Sequence, residues 1–395
     1  MPLGLYISVP FCRTKCTYCN FASGVFSRQR FEQYISRLCE EIAGSREAAA
    51  QMSGIFEPSV DSIYFGGGTP TLLDIAQLER VFVSIRQNFD VAGDAEITVE
   101  CAPGTLSAEK IEALVRCGVN RVSLGVQSFV DREAASVGRL HKREVVLDDI
   151  ARLRSAGITN INLDLIAGLP HQSAESWHES LDALIQNGAP HASIYMLEVD
   201  EDSRLGRELI AGGNRYHAHF VPDDGLTADL YELACERLDA AGILQYEISN
   251  FAREGFESKH NLKYWTRQPY LGFGVDAHSM LFGRADDAVR FSNPDALEDY
   301  VSGAPKQKLS ITRRAALEET FFLGLRLNRG VDLSEVQVRY GAESIQAFSP
   351  IISDLRESGL VHQKDKSIRL NPRGRLLSNE IFESFISAEK SVVIT

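Results

Sequence analysis

Three cysteines near the start of the chain have the spacing of a metal site. Cys12, Cys16 and Cys19 lie in VPFCRTKCTYCNF, directly after the apolar segment LYISV. This spacing lets one short loop direct three thiolates at a single metal centre, whereas a closed zinc or iron–sulfur site uses four ligands. The candidate fourth position, Phe21, is apolar. The loop would therefore leave one coordination position open for a substrate or cofactor.

A structural zinc site and disulfides are the plainer interpretations of these cysteines. Zinc would need a fourth ligand, and the next cysteine, Cys39, falls in a segment with helical spacing. The chain has seven cysteines, an odd number, and no secretory signal. Both features argue for a reducing compartment rather than for disulfides.

The C-x3-C-x2-C loop, with an aromatic residue before its last cysteine, resembles the radical S-adenosylmethionine (SAM) superfamily. The resemblance implies that Cys12, Cys16 and Cys19 hold three irons of a [4Fe-4S] cluster. It also implies that the amino and carboxylate groups of SAM chelate the fourth iron. Reduction of such a cluster cleaves SAM to an adenosyl radical.

The elements that must position this loop alternate between strands and helices. Six short apolar runs are separated by segments of helical spacing, and they lie at 5–9, 60–65, 96–100, 121–126, 161–166 and 192–197. Such alternation predicts a parallel sheet. Because six strands are too few for a closed eight-stranded barrel, we predict an incomplete (β/α)6 barrel. In such folds the chemistry sits at the C-terminal ends of the strands.

Polar motifs follow several of these runs. FGGGTP at 65–70 lets backbone groups approach a ligand closely, although a plain tight turn explains it equally well. Glu100 closes the third run, where a lone carboxylate is usually just solvated, and Gln127 closes the fourth. Asp164 lies in the apolar run INLDLI, where a charge is costly unless it is bonded, for example to an arginine such as Arg139.

Together these residues resemble the SAM-contacting set of the oxygen-independent coproporphyrinogen III oxidase family, which includes a haem-chaperone branch. The residues that the resemblance assigns to SAM are Tyr6, Gly67, Gly68, Thr69, Glu100, Gln127, Arg139 and Asp164. The glycine turn would contact the amino group of SAM, and Glu100 its ribose. The chain departs from the family at Cys101 and Ala102, in a stretch where Asn is more usual.

A second aromatic motif, HNLKYW, lies in the other half of the chain and comprises His260, Asn261, Tyr264 and Trp265. Imidazole can ligate haem iron, and aromatic faces can stack on a porphyrin. A packed aromatic corner with a hydrogen-bonded histidine is the structural alternative. The pattern resembles the signature of the haem-chaperone branch, which implies haem binding at these residues.

We expect three regions in the chain. Residues 1–205 form the partial barrel, 206–304 a connector and an α/β extension that carries HNLKYW, and 305–395 a winged-helix-like unit. The last unit is not markedly basic, so we interpret it as a packing or partner-binding module, or a lid over the barrel mouth, rather than a DNA-binding domain.

Overall composition excludes several classes of protein. The net charge of −13 argues against a general nucleic-acid binder, which needs clustered Lys and Arg, and against an electrostatic membrane anchor. No apolar run approaches the roughly 18 residues of a membrane span, and the N-terminus lacks a signal peptide. We therefore expect a cytoplasmic protein.

The resemblance favours a haem chaperone that binds a [4Fe-4S] cluster, SAM and haem, and delivers haem to acceptor proteins. The alternative is an oxygen-independent coproporphyrinogen III dehydrogenase, and a third is a radical SAM enzyme with another substrate. Phe21 stands where the oxidases carry a further cysteine, and the stretch before Cys12 is shorter than theirs. Both features favour the chaperone. An electron donor is implied if SAM is cleaved.

Overall fold

The computed structural model describes residues 1–283 and 288–386. Six parallel strands form the first part of the sheet, in the order in which they occur along the chain. These strands are β1 (Leu3–Val9), β2 (Ser59–Gly67), β3 (Asp90–Cys101), β4 (Arg121–Gln127), β5 (Asn160–Ala167) and β6 (His191–Met196). Helices connect them: α1 (Arg28–Ala43), α2 (Ser45–Gln51), α3 (Ile75–Asn88), α4 (Ala108–Arg116), α5 (Asp131–Ser136), α6 (Arg143–Ser155) and α7 (Ala174–Asn187). The predicted alternation of parallel strands and helices is thus confirmed.

The caps of these helices follow from local chemistry. Asp74 opens α3 with a capping box, and the hydroxyl of Ser107 accepts a hydrogen bond from the third residue of α4. Ser173 opens α7 with a second capping box, and Gly188 ends that helix in the left-handed conformation that glycine tolerates best. Each cap satisfies backbone groups that the helix itself leaves unpaired.

The two faces of the six strands differ in polarity. Leu5, Ile7 and Val9 of β1 are fully buried on the outer face, in the core shared with the helices. Successive side chains of a strand point to opposite faces, so Tyr6 and Ser8 lie on the inner face. The same alternation places polar side chains inside the barrel along the other strands, among them Ser62, Thr98, Ser123, Asn162 and Ser193. The barrel interior is therefore lined by polar groups rather than by an apolar core.

The middle of the chain extends this sheet at both edges. Its strands are β7 (Leu244–Gln245), β8 (Asn250–Ala252), β9 (Tyr270–Phe273), β10 (His278–Phe282), β11 (Ala288–Ser292) and β12 (Gln307–Ile311). Its helices are α8 (Arg204–Ile210), α9 (Asp224–Ala240), α10 (Lys259–Trp265) and α11 (Leu297–Ser302). β9 pairs in parallel with β1 and continues into β10–β12, while β8 and β7 follow β6. No pairing between β12 and β7 closes the sheet among the described residues.

A smaller unit with its own core follows the large sheet. Its helices are α12 (Arg313–Arg326), α13 (Leu333–Tyr340), α14 (Ala342–Glu357), α15 (Pro372–Leu376) and α16 (Ser378–Ile386). Its three-stranded antiparallel sheet consists of β13 (Val331–Asp332), β14 (Val361–Lys364) and β15 (Ser367–Leu370). The order is helix, strand, two helices and a hairpin, which agrees with the winged-helix-like unit expected from the sequence. The division of the chain at 205 and 304 stays a prediction, because β12 still belongs to the large sheet.

A buried ion cluster attaches the smaller unit to the large sheet. Glu319 of α12 accepts hydrogen bonds from the Arg267 Nε, at 2.8 Å, and contacts Arg290 of β11 at the same distance. Arg267 also donates to the Tyr340 hydroxyl at 3.0 Å. Within 1–283 and 288–386, no helix has the length and apolar character required to cross a membrane.

Candidate functional site

The cysteine loop, residues 10–24, closes on itself through its backbone. The N–H of Cys12 donates to the carbonyl of Gly24 at 2.8 Å, and the N–H of Gly24 donates to the carbonyl of Pro10 at 2.9 Å. The buried ring of Phe11 anchors the loop, because it stacks on an aromatic ring of α1 with centroids 3.7 Å apart. The path of the chain out of β1 is therefore fixed at the first cysteine.

Two neighbouring segments hold the far side of this loop. The N–H of Thr17 donates to the carbonyl of Val137 at 3.1 Å, and the carbonyl of Thr17 accepts from the N–H of Leu205 at 2.9 Å. The guanidinium of Arg204 donates to the carbonyl of Lys15. The turn after α5 and the start of α8 thus frame the three cysteines.

The three cysteines of the loop are free and half-buried thiols. Burial raises the pKa of the Cys12 thiol, and the neighbouring thiols of Cys19 and Cys16 add to that rise. In residues 1–283 and 288–386, no three His, Cys, Asp or Glu side chains converge closely enough to hold a single metal ion. A four-iron cluster binds each thiolate through a different iron, so its ligands surround a volume instead of meeting at a point.

The glycine turn after β2 packs directly on the cysteine loop. Gly67 has a φ of +102°, which favours glycine. At Gly68 a side-chain β-carbon would lie 2.7 Å from the carbonyl oxygen of Phe11 and 3.0 Å from Sγ of Cys12. The N–H of Thr69 donates to the carbonyl of Phe11 at 2.7 Å. A ligand amino group is a donor, so its partners at this turn would be carbonyl oxygens and not N–H groups.

Glu100 lies next to this turn, inside the barrel. Its carboxylate accepts hydrogen bonds from the hydroxyl of Tyr64, at 2.9 Å, and from the N–H of Gly67. Burial, with the negative charge of Asp164 as the second cause, raises the pKa of Glu100 to about 7. The ring of Tyr6 stacks on that of Tyr64 with centroids 6.2 Å apart. Glu100 is therefore a half-buried carboxyl held by the hydroxyl of Tyr64, and not a freely solvated one.

Gln127 and Arg139 meet over the end of β4. Gln127 is buried and has a φ of +68°, which is rare for a residue with a side chain. A β-carbon on Gly125 would lie 2.7 Å from Nη2 of Arg139 and 3.2 Å from Nε2 of Gln127. Two buried atoms here, Oε1 of Gln127 and Nε of Arg139, have no partner within the described residues. A polar ligand could satisfy both atoms.

Arg139 connects the cysteine loop to the interior of the barrel. Burial acts to lower the pKa of its guanidinium. Its acidic neighbours, Tyr18, Cys16 and Asp164 in that order, outweigh that effect, and the net pKa is raised. The guanidinium therefore has acidic groups of both the cysteine loop and β5 among its neighbours.

Asp164 is held by neutral donors. Its carboxylate accepts from the amide of Asn162 at 2.7 Å and from the hydroxyl of Ser123 at 3.2 Å. Burial raises the pKa of Asp164, and the hydrogen bonds of Ser193, Asn162 and Ser123 oppose that rise. The internal Arg–Asp pair considered from the sequence does not form in the part of the chain that the structure describes. The strand supplies hydrogen-bond partners instead.

Most of the predicted SAM set and the three cysteines lie towards the C-terminal ends of β1–β5. Tyr6 instead lies midway along β1, with its ring 6.2 Å from that of Tyr64 and 6.4 Å from that of His260. Sequence reasoning missed the residues that hold this set in place, which are Tyr64, Ser123, Asn162 and Ser193. The signal for them was present, because polar residues recur at every second position of the predicted strands.

The HNLKYW motif forms α10, which inserts at the opposite end of the barrel. Nδ1 of His260 lies 3.1 Å from the Ser62 hydroxyl, and Nε2 lies 2.8 Å from the Tyr264 hydroxyl. The ring is 1% exposed, and burial lowers its pKa to about 3. Both ring nitrogens are thus occupied, and this conformation does not present His260 to a haem iron.

The rest of the motif contacts protein groups. The N–H of Asn261 donates to the Ser258 hydroxyl at 3.3 Å, as part of the α10 N-cap. The Trp265 ring lies under the guanidinium of Arg326 of α12, 4.2 Å from its centroid. Haem binding by His260, Asn261, Tyr264 and Trp265 remains a prediction from the sequence.

Two family models match this chain. The radical SAM superfamily matches residues 6–184, and the HemN C-terminal domain matches residues 311–377. The first range holds the cysteines and the polar set described above, and the second holds most of the smaller unit.

Several characterised proteins are similar to the chain over nearly its full length. The heme chaperone HemW of Bacillus subtilis is 36% identical over 388 residues, covering 96% of this chain and 98% of that protein. HemW of Lactococcus lactis is 33% identical, with 98% and 97% covered. The structure of the coproporphyrinogen III oxidase HemN from Escherichia coli, a radical SAM enzyme, superposes with a TM-score of 0.82 at 25% identity, covering 97% of this chain and 90% of that one.

Proposed function

The chain belongs to the HemW family of the radical SAM superfamily, and on that premise we propose that it is a haem chaperone. It would bind haem and pass it to haem-requiring acceptor proteins. The observation that carries this proposal is the similarity to heme chaperones over both the barrel and the smaller unit. The fold alone would not distinguish a chaperone from an oxidase, because the HemN structure has the same architecture.

We assign Cys12, Cys16 and Cys19 as the ligands of a [4Fe-4S] cluster. Their free, half-buried thiols, their place on one short loop and the fixed path of that loop support this assignment. A cluster with one iron open supplies a site for the amino and carboxylate groups of SAM, and an electron for its reductive cleavage. An electron donor would be needed if cleavage is part of the function.

The chain's own polar residues would orient SAM. The carbonyls of the Gly67–Gly68–Thr69 turn are acceptors for an amino group, and the held carboxyl of Glu100 is an acceptor for ribose hydroxyls. The unpartnered Oε1 of Gln127 and Nε of Arg139 provide one acceptor and one donor in the same region. Asp164 and Tyr6 complete the interior wall next to them.

We place this activity in the cytoplasm, where the haem acceptors would also be found. The seven cysteines are free, and the proposed cluster thiolates need a reducing environment. The smaller unit, attached through its buried ion cluster, is the part we assign to contact with acceptors.

The test is haem binding and transfer by anaerobically reconstituted full-length protein. We expect saturable binding in a titration followed by Soret absorbance, and faster activation of a haem-free acceptor enzyme than free haem provides. Absence of saturable binding, with cluster and SAM both bound, would overturn the proposal.

One observation favours a second candidate function, oxygen-independent coproporphyrinogen III dehydrogenase: the TM-score of 0.82 with HemN. Against it, Phe21 is an apolar side chain, 63% exposed, at the position where the resemblance expects a further cysteine in oxidases. Anaerobic incubation with coproporphyrinogen III, SAM and a reductant separates the two. Formation of protoporphyrinogen would establish the enzyme, whereas an unconsumed porphyrinogen with SAM bound would favour the chaperone.

A further inference from the structure

A short strap, residues 215–220, carries two histidines to the mouth of the barrel. It follows α8 and forms an irregular turn in which Tyr216 and His217 have φ values of 55° and 58°. The carbonyl of Phe220 accepts a hydrogen bond from the N–H of His171 at 2.9 Å. Because His171 follows β5 on the side where that strand ends, the strap lies at the same rim as the proposed SAM site.

Hydrogen bonds determine which ring nitrogen carries the proton in two neutral histidines at this rim. Nη2 of Arg132 lies 3.0 Å from Nδ1 of His171, and an arginine can only donate. His171 therefore accepts at Nδ1 and carries its proton on Nε2. That Nε2 lies 2.9 Å from Nδ1 of His217, to which it donates. His217 is thus held as an acceptor by His171, and its own proton lies on Nε2.

His219 is the remaining imidazole of the strap. It is exposed, and its ring makes no hydrogen bond to any residue in the described ranges. It packs on Phe220 with ring centroids 4.0 Å apart, and the Phe220 ring also lies 4.0 Å from that of His171. Phe220 nevertheless remains 44% exposed. The strap therefore presents a free imidazole beside an exposed aromatic face.

These features match the needs of haem better than those of a bare metal ion. The porphyrin supplies four nitrogen ligands, so the protein needs to add only one axial imidazole. No group of three metal-ligating side chains occurs among the residues described, which argues against a separate metal ion at the strap. Arg215 begins the strap and Arg207 belongs to the preceding helix, α8; both are exposed cations, and such charge suits the propionates of haem in an otherwise acidic chain.

We propose that His219 is the axial ligand of bound haem, with Phe220 as the ring against which the porphyrin packs. The inference rests on the proposed haem-chaperone function and locates its cargo at the open end of the barrel. His171 and His217 are positioning residues that hold the strap. His260 lies at the other end, where Ser62 and Tyr264 occupy both ring nitrogens, so neither nitrogen is open to iron in this conformation.

The test compares haem binding by the full-length reconstituted wild type and three variants. His219→Ala should weaken haem binding at least tenfold and abolish the Soret and electron paramagnetic resonance signature of histidine-ligated iron. Added imidazole should restore that signature. His362→Ala, which removes an exposed histidine of the smaller unit, should bind haem as the wild type does. His260→Ala should retain the histidine-ligated spectrum.

The possible failures can be told apart. If the wild type binds no haem, the proposed function falls, and the strap site falls with it. If the wild type binds haem and His219→Ala gives the same affinity and spectrum, the strap site alone is refuted. Loss of the histidine-ligated spectrum in a His260→Ala protein that still binds SAM would equally refute it.

Discussion

Replacing Gly68 by alanine would test whether the glycine turn and the cysteine loop form one unit. The new β-carbon would lie 2.7 Å from the carbonyl oxygen of Phe11, 2.9 Å from that of Val9 and 3.0 Å from Sγ of Cys12. Ordinary van der Waals contact for a β-carbon begins at 3.4 Å, so the nearest oxygen must retreat by about 0.7 Å. That oxygen also accepts the hydrogen bond from Thr69, which holds the loop.

The cost of this overlap can be estimated from the contacts. Overpacking of this kind costs about 1–3 kcal/mol, and weakening one backbone hydrogen bond costs about 1 kcal/mol. If the strain relaxes by displacing Cys12, iron binding weakens by roughly 5- to 150-fold, since about 1.4 kcal/mol corresponds to a factor of ten. The assay is anaerobic reconstitution at limiting iron and sulfide, followed by iron determination and absorbance of the cluster.

Gly93→Ala is the matched control for this variant. Gly93 also lies in a strand of the barrel, β3, but a β-carbon there would meet no atom within 4 Å. We expect this control to take up a full cluster. Equal iron content in the Gly68 and Gly93 variants would refute the reasoning that the turn positions the first cysteine.

Three further predictions concern the proposed ligands of the iron–sulfur cluster, the carboxyl of Glu100 and the attachment of the smaller unit. Cys19→Ser should lose the cluster and its absorbance, whereas the control Cys39→Ser, which removes a half-buried thiol of α1, should retain both. A full cluster in Cys19→Ser would rule out the ligand assignment. The pKa of Glu100 is about 7 in the folded protein against a reference of 4.5, so the folded state binds this proton more tightly than the unfolded state does. The bound proton therefore stabilises the fold below pH 4.5, and that stabilisation is lost as the pH rises to about 7. The assay is urea unfolding of ligand-free wild type and Glu100→Gln at several pH values. Across this interval the unfolding free energy of the wild type should fall relative to that of the variant, by about 1.4 kcal/mol per unit of pKa shift. A difference that does not change with pH would contradict the assignment. Glu319→Gln should destabilise the protein by about 3–5 kcal/mol, because it leaves Arg267 and Arg290 without their shared carboxylate. Glu318→Gln on the same helix breaks one i,i+4 ion pair and should cost about 1 kcal/mol or less. Similar melting temperatures for the two variants would argue against the buried ion cluster.

The barrel could be predicted from sequence because its outer layer follows simple rules. Apolar runs alternate with amphipathic segments, and capping residues such as Asp74 and Ser107 mark where helices start. These signals are local, so a single sequence contains them. The polar motifs at the strand ends could be placed together for the same reason, since parallel strands bring their C-terminal ends to one edge.

The partners of the buried charges could not be predicted, because they depend on which strands are neighbours and on their register. Asp164 bonds to Ser123 because β4 pairs with β5, and the sequence gives no measure of that register. The sequence after β6 predicts only a connector, yet its first part forms α8, and the N–H of Leu205 bonds this helix to the cysteine loop. Tertiary contacts decide such segments more than propensity does.

The polar lining explains why an incomplete barrel can bind large cofactors. In a closed eight-stranded barrel, layers of branched apolar side chains fill the interior. Here the apolar side chains of the strands pack outward against the helices, so folding does not require the interior to be filled by the core. Glu100 and Asp164 are costly to bury when no ligand is present, as their raised pKa values indicate. A ligand that offers hydroxyl, amino and sulfonium groups would reverse that cost, which is the property expected of a SAM site and not of a structural core.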